Sequence, residues 1–247
     1  MPNLIIFLSD NHNRDFLGAA GHPMVRTPNL DGIARRGVRF SNAYCASPLC
    51  CPSRAAIATG RFPHQTGYWD NALAYDGRVP TWHHRIRDAG HEVTAIGKLH
   101  FRSGEDDNGF TDENIVMHII EAKGALSSLL RATQDGVPRR KSHKAIYEES
   151  VPGEADYQIY DRDITANAID WLRANADRSE PWVLLVSFPS PHPPFKVPRR
   201  FWDMYPLADV PMPVQWRAQD RPKHPAIDYL AWMNHLEDGL DEDLVRR

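Results

Sequence analysis

The strongest indication of this chain's fold is Leu49-Cys50-Cys51-Pro52-Ser53-Arg54, continued by Ala58-Thr59-Gly60-Arg61. Proline suits the first turn of a helix, where its missing N–H group costs nothing. The stretch therefore predicts a helix that begins near Pro52, with Cys50 just before it. Free N–H groups at a helix N-terminus favour an anion, and the guanidinium of Arg54 can bind the same anion. The pattern indicates a nucleophile-like cysteine in an anion pocket.

The pattern Cys-x-Pro-Ser-Arg, followed by Thr-Gly-Arg, resembles the signature of type I sulfatases of the alkaline phosphatase superfamily. In that family the first cysteine is converted to formylglycine, and the resemblance assigns this position to Cys50. It implies a sulfuric ester hydrolase that uses a divalent metal, Ca²⁺ or else Mg²⁺ or Mn²⁺. It also implies that Cys50 contacts the metal and that Arg54 is catalytic. The alternative explanation is a buried pair of cysteines at a helix start.

Upstream, the apolar run Leu4–Leu8 predicts a strand that is buried on both faces. The run ends in a polar cluster, and ligands of open α/β sheets collect at the carboxyl ends of strands. Asp10 and Asn11 there offer oxygen ligands for a hard divalent cation, or else an Asx turn. The resemblance implies that Asp10 is a metal ligand; Asn11 takes the place of a commoner second Asp.

Two further elements are predicted before the cysteine stretch. Thr27 and Pro28 are typical of a helix start, and Gly37 is typical of a helix end. The segment Val38–Phe40 alternates apolar and polar residues, which predicts a short strand.

Downstream, Asn71 lies in a loop that resembles the equivalent loop of choline-sulfatase-like proteins. That resemblance implies a substrate contact for Asn71, and a surface Asx turn is the alternative. The Tyr44–Cys50 stretch and Asp70-Asn71 both favour the choline-sulfatase-like branch.

The segment Glu92–Ile96 predicts another strand, followed by Gly97, Lys98 and His100. In an extended chain Lys98 and His100 point to the same side. Gly-Lys-x-His is similar to a second sulfatase pattern, which implies that Lys98 contacts sulfate and that His100 hydrogen-bonds the formylglycine. Taken alone, both would be ordinary surface residues.

Residues 155–176 have the apolar spacing of an amphipathic helix, and Trp182–Phe188 predicts a buried strand. Prolines then surround His192 and hold it stiffly near the strand's carboxyl end. The resemblance implies that His192 contacts the sulfate and protonates the leaving oxygen. A histidine in such a loop is otherwise structural.

The chain is expected to have an α/β fold similar to that of alkaline phosphatases and sulfatases, with a mostly parallel central sheet and helices on both faces. Residues 1–200 resemble the N-terminal portion of a sulfatase catalytic domain, and residues 201–247 are expected to form an irregular or helical extension. The family's second metal-binding motif is not recognisable, so we expect the C-terminal part of the fold to be absent. Because Ca²⁺ takes about six to eight oxygen ligands, we expect the isolated chain to be weakly active or inactive.

Composition excludes several classes of partner. The net charge of −3 with mixed signs argues against nucleic acid or an anionic membrane. No apolar run is long enough to span a membrane, and the N-terminus lacks the basic region of a signal peptide. We expect a cytoplasmic protein whose partners are a small sulfated substrate and the formylglycine-generating enzyme. A homo-oligomer or a complementing chain also remains open.

Three other functions compete with a sulfatase. A phosphonate or phosphodiester hydrolase of the same superfamily would use the same nucleophile. A non-catalytic, truncated sulfatase-like protein would only bind sulfated ligands or a partner chain. A zinc site formed by Cys45, Cys50 and Cys51 lacks the usual Cys-x₂-Cys spacing, and adjacent cysteines rarely reach one tetrahedral ion.

Overall fold

A computed structural model describes residues 2–124 and 147–247. The basic run Arg139–Lys141, which the sequence predicts to be a solvated loop, lies outside the described residues. The strands are β1 (Leu4–Ser9), β2 (Glu92–Lys98), β3 (Asp112–Met117) and β4 (Trp182–Phe188). The α-helices are α1 (Pro28–Arg36), α2 (Cys50–Thr59), α3 (Pro63–Thr66), α4 (Trp82–Asp88), α5 (Asp156–Asn175), α6 (Arg199–Trp202), α7 (Pro225–Met233) and α8 (Glu242–Arg246). Short 3₁₀ helices span Gly18–Ala20, Ile120–Ala122, Leu207–Asp209 and Ala218–Asp220.

The four described strands form one sheet in the order β1-β4-β2-β3, and each neighbouring pair is parallel. The predicted parallel α/β sheet is therefore confirmed. Strand β3 was not predicted, because its first half, Asp112 to Asn114, is polar and carries no apolar alternation. Strand β3 forms because its backbone pairs with β2, starting with Asp112 opposite Thr94.

Helices cover both faces of this sheet, as expected. Successive strand residues point to opposite faces, and the two apolar clusters divide accordingly. One cluster joins β2 and β4 to α2 and α4, through Val93, Ala95, Val183, Leu185, Ala55, Ala58, Trp82 and Ile86. The other joins the same two strands to α5, through Ile96, Leu184, Val186, Ile164 and Ala168.

Strand β1 was expected to be buried on both faces, and that prediction is wrong. Leu4, Ile5 and Phe7 are 45%, 39% and 60% exposed. The reason is that β1 lies at the edge of the sheet and pairs only with β4 among the described strands. An apolar edge strand is a surface on which another chain segment can pair.

The chain divides into two compact units. The first contains the described residues within 1–10, 44–132 and 156–190, and thus the whole sheet. The second contains the described residues within 11–43, 133–155 and 191–247. The expected boundary near residue 200 stays a prediction.

In the second unit, α1 begins at Pro28 after Thr27 and ends before Gly37, as the sequence indicated. The short strand expected at Val38–Phe40 is not formed. Val38 and Phe40 are each 79% exposed, because the segment has no pairing partner among the described residues. No described helix combines the length and apolar character that crossing a membrane requires.

Candidate active site

The candidate site is built around the N-terminus of α2, which begins at Cys50 itself and not after it. The preceding residue, Leu49, has no side chain that caps the helix. Asn71 takes that role: its Oδ1 accepts the Cys51 N–H at 3.0 Å, and its Nδ2 donates to Cys50 Sγ at 3.2 Å. The loop residue expected to contact substrate therefore caps the helix and orients the Cys50 side chain.

One turn into α2, Arg54 enters a buried ion cluster with Asp10 and Lys98. Asp10 Oδ2 lies 2.6 Å from Lys98 Nζ and 3.1 Å from Arg54 Nη2. Lys98 is 1% exposed, and the other two side chains are 7% exposed. Arg54 Nη1 also donates to Ser187 Oγ at 3.0 Å and to the carbonyl oxygen of Lys98. Three segments that are distant in sequence thus meet at the carboxyl edge of the sheet.

The charges of this cluster depend on one another. Burial raises the pKa of Asp10, but the hydrogen bond and charge of Lys98 and the Arg54 guanidinium outweigh it and hold the pKa below its ordinary value of 3.8. Asp10 is therefore a carboxylate at neutral pH, and it balances one of the two buried cations. The cluster keeps an excess of positive charge beside Cys50, which suits an anionic ligand.

The residues that follow β2 place His100 beside Cys51, although the backbone there is not extended. The pairing of β2 with β3 shifts register between Ile96 and Lys98. Gly97 has a φ of 95° and His100 has a φ of 58°. Because of these left-handed turns, Lys98 reaches Asp10 while His100 Nδ1 comes within 3.7 Å of Cys51 Sγ. The expected proximity of Lys98 and His100 to Cys50 is observed, although the extended geometry assumed for it is wrong.

The two adjacent thiols have opposite proton affinities. A hydrogen bond from Cys51 is the largest influence on Cys50 and lowers its pKa, and His100 and Lys98 lower it further against the effect of burial. The same hydrogen bond and burial raise the pKa of Cys51. In the unconverted chain Cys50 is therefore the more acidic of the two thiols.

Sequence reasoning missed three residues of this site. The sequence offers Cys51 a role only in the disfavoured zinc site with Cys45 and Cys50, whereas in the structure Cys51 contacts His100. Ser187, fully buried in β4, holds Arg54. Tyr157 lies on α5 with its ring centroid 5.9 Å from Lys98 Nζ, and burial raises its pKa. The one sequence signal among these three residues is Ser187, a polar residue near the end of an otherwise apolar run.

Asn11 and His192 lie in the second unit, so their predicted roles beside Cys50 stay predictions. Asn11 is exposed, with a φ of 62°. The half-buried His192 has its Nδ1 2.7 Å from the carbonyl oxygen of Pro193.

The described residues of the first unit do not form a calcium site by themselves. Ca²⁺ takes about six to eight oxygen ligands, whereas Asp10 Oδ2 is already shared by Lys98 and Arg54. Among the described residues, the group of three potential metal ligands that lie close together is Cys50, Cys51 and His100, which includes no carboxylate.

Replacing Asn71 by alanine removes the cap of α2, and we expect it to lower the free energy of unfolding by about 1 kcal/mol. Asn71→Asp keeps the acceptor for the Cys51 N–H, so most of this loss should be recovered. Chemical denaturation of both variants checks the prediction. Equal stability of Asn71→Ala and the unchanged chain would show that the two hydrogen bonds do not hold the helix start.

Sequence comparison with curated proteins finds related enzymes. The chain is 32% identical over 210 residues to the choline-sulfatase of Rhizobium meliloti (strain 1021), covering 83% of this chain and 41% of that protein. It is 30% identical over 236 residues to an arylsulfatase of Clostridium perfringens (strain 13 / Type A), covering 86% of this chain and 48% of the relative. The chain thus spans less than half the length of these two relatives.

Solved structures show the same fold. The phosphonate monoester hydrolase of Agrobacterium radiobacter matches with a TM-score of 0.65 at 23% identity, over 87% of this chain and 46% of that one. BT4656, solved with its substrate D-glucosamine-2-N,6-O-disulfate, matches with a TM-score of 0.63 at 25% identity, over 87% of this chain and 39% of that one. The parallel sheet and its covering helices are therefore shared with larger proteins of this fold.

A family model described as sulfatase matches residues 2–215. The match includes β1, the Cys50 helix, the Lys98–His100 segment and the loop that carries His192. Most of the chain is thus accounted for by one family, and this chain belongs to the sulfatase family.

Proposed function

We propose that this chain is the nucleophile-bearing part of a sulfatase that hydrolyses a small sulfate monoester. The observation that carries the proposal is the grouping of Cys50, Arg54, Lys98 and His100 at one sheet edge. Sulfatases generally use a formylglycine and a divalent metal. The position that the family pattern assigns to formylglycine is Cys50, at a helix N-terminus where backbone N–H groups favour an anion.

The chemistry follows from the side chains around that position. A hydrated formylglycine at position 50 would supply one hydroxyl to attack sulfur and a second to expel sulfate, and a thiol has no such second group. Lys98 and Arg54 are buried cations beside it, so they stabilise negative charge that moves onto the sulfate oxygens in the transition state. His100 contacts the same residue and can accept the proton of the second hydroxyl. His192 is assigned the protonation of the leaving alcohol oxygen.

Mass spectrometry of the Cys50 peptide tests the nucleophile. After coexpression with a formylglycine-generating enzyme, we expect the thiol of Cys50 to be replaced by an aldehyde, while Cys45 and Cys51 remain thiols. Chain expressed without that enzyme is the matched control. An unmodified Cys50 in the coexpressed protein would contradict the proposal.

We further propose that additional polypeptide, equivalent to the part of the relatives that this chain does not match, completes both the metal site and the sheet. The single Asp10 carboxylate would contribute one ligand of the site that Ca²⁺, Mg²⁺ or Mn²⁺ occupies in the complete domain. The exposed apolar edge of β1 would pair with a strand of the same polypeptide, and the relatives supply more than half of their length beyond the matched region.

Activity of the purified 247-residue chain checks this second proposal. With formylglycine installed and any of the three metals added, we expect turnover of an aryl sulfate or of choline sulfate to be at the background level. Addition of a polypeptide equivalent to the unmatched part of a relative should raise this turnover. Phosphonate and phosphate monoesters, assayed in parallel, separate a sulfatase from a phosphonate hydrolase. Substantial metal-dependent turnover by the chain alone would contradict the proposed incompleteness.

A further inference from the structure

The group formed by Cys50, Cys51 and His100 has the composition of a metal site, a role that formylglycine chemistry does not include. The two sulfurs and a ring nitrogen of His100 all lie within 4.8 Å of one another. Adjacent cysteines seldom reach one ion, but here α2 begins at Cys50. The first helical turn directs both side chains towards the same histidine.

These separations fit a small tetrahedral ion. With bonds of about 2.3 Å to sulfur and about 2.0–2.1 Å to nitrogen, a tetrahedral zinc ion requires about 3.6 Å between a sulfur and a nitrogen ligand and about 3.8 Å between two sulfurs. Cys51 Sγ and His100 Nδ1 are 3.7 Å apart. Small side-chain rotations are therefore enough to place three ligands around one ion, with the fourth position open.

The surroundings also suit a thiolate-bound cation. Asn71 Nδ2 donates to Cys50 Sγ at 3.2 Å, and hydrogen bonds of this kind orient metal ligands. Lys98 and Arg54 are nearby cations, but both pair with Asp10. Two thiolates cancel the charge of a divalent ion, so the bound site adds no net charge to the cluster.

We propose that the chain with an unconverted Cys50 binds one thiophilic divalent cation, Zn²⁺ or Cd²⁺, through Cys50 Sγ, Cys51 Sγ and His100 Nδ1. Protons carried by the sulfurs are released to solvent on binding. The ion is bonded to the Cys50 sulfur and blocks the anion pocket beside it. Conversion of Cys50 to formylglycine removes one ligand and leaves Cys51 and His100, so the converted chain binds the ion more weakly. The proposal does not depend on sulfatase activity.

Titration of the reduced, unconverted chain with Cd²⁺ tests the site through the ultraviolet thiolate-to-metal charge-transfer band, and calorimetry gives the stoichiometry. We expect one equivalent to bind. Cys51→Ser and His100→Gln should each weaken binding by about tenfold or more. Cys45→Ser is the matched control, because Cys45 is an exposed thiol outside the group, and it should bind Cd²⁺ as the unchanged chain does.

Two results would overturn the proposal. One is binding by Cys51→Ser that is as tight as that of the unchanged chain, and the other is loss of binding in Cys45→Ser. If Cys51→Ser fails to fold, alkylation of the unchanged chain decides the matter. Cd²⁺ should protect Cys50 and Cys51 and leave Cys45 reactive, whereas equal protection or equal reactivity of all three thiols contradicts the site.

Discussion

Replacing Asp10 by asparagine is expected to lower the free energy of unfolding by about 3–5 kcal/mol, because it leaves two buried cations without their common counter-ion. Lys98 Nζ and Arg54 Nη2 both contact the same oxygen of Asp10, and Lys98 is almost completely buried. Asparagine has nearly the same shape as aspartate, so the variant removes the charge with little change in packing. Urea denaturation near pH 7 measures the difference.

The control for this prediction is Asp107→Asn. Asp107 pairs with Arg87 on the surface, where an ion pair contributes about 0–1 kcal/mol. A loss of similar size in both variants would show that burial does not increase the importance of the Asp10 cluster.

The contribution of Asp10 to stability also depends on pH, and the lowered pKa of Asp10 gives the direction of that dependence. A carboxyl whose pKa is lower in the folded state than its ordinary value of 3.8 contributes its full stability above that value. The contribution is lost as pH falls through the folded-state pKa. We therefore expect the stability difference between the unchanged chain and Asp10→Asn to be constant between pH 5 and pH 7, because both values lie above 3.8. The stability difference should narrow in stronger acid. A difference that widens on acidification would contradict the assignment.

Replacing Gly97 by alanine is expected to destabilise the chain by about 3 kcal/mol or more, combining overpacking with backbone strain. Gly97 has a φ of 95°, a conformation that side chains disfavour. A Cβ atom there would collide with the carbonyl oxygen of Ser187 in β4 and would come within 2.8 Å of Ile164 Cδ1 on α5. Neither the strand nor the helix can withdraw without separating the sheet from its covering layer. Thermal and urea unfolding of the variant measure the loss.

Gly90→Ala separates the two causes. Gly90 has a similar φ of 85°, but a Cβ atom there meets nothing within 4 Å, so backbone strain of about 1 kcal/mol is all that we expect. If Gly97→Ala and Gly90→Ala are equally stable, the close approach of β2 to β4 at Gly97 is not a steric constraint.

Local sequence patterns were sufficient to predict three of the four described strands and the helices α1, α2 and α5. The apolar run Trp182–Phe188 forms β4, and residues 155–176 form α5 almost as predicted. These elements could be predicted because burial of a periodic apolar face stabilises them wherever they lie. The sequence pattern gives no sign of β3 and wrongly predicts a strand at Val38–Phe40. A strand exists only where a neighbouring strand offers its backbone groups, and sequence periodicity does not report that neighbour.

For the site, sequence analysis identifies the residue types, their order along the chain and the family pattern that they compose: Asp10, Cys50, Arg54, Lys98 and His100. The contacts that these residues make depend on the folded chain. Tertiary structure made Asn71 the cap of α2, left β1 as an exposed edge, and placed Cys51 beside His100. The physical reason is that these outcomes depend on left-handed turns and on contacts between distant segments, such as Ser187 with Arg54. Such contacts form only when the strands pair, so no stretch of the chain encodes them on its own.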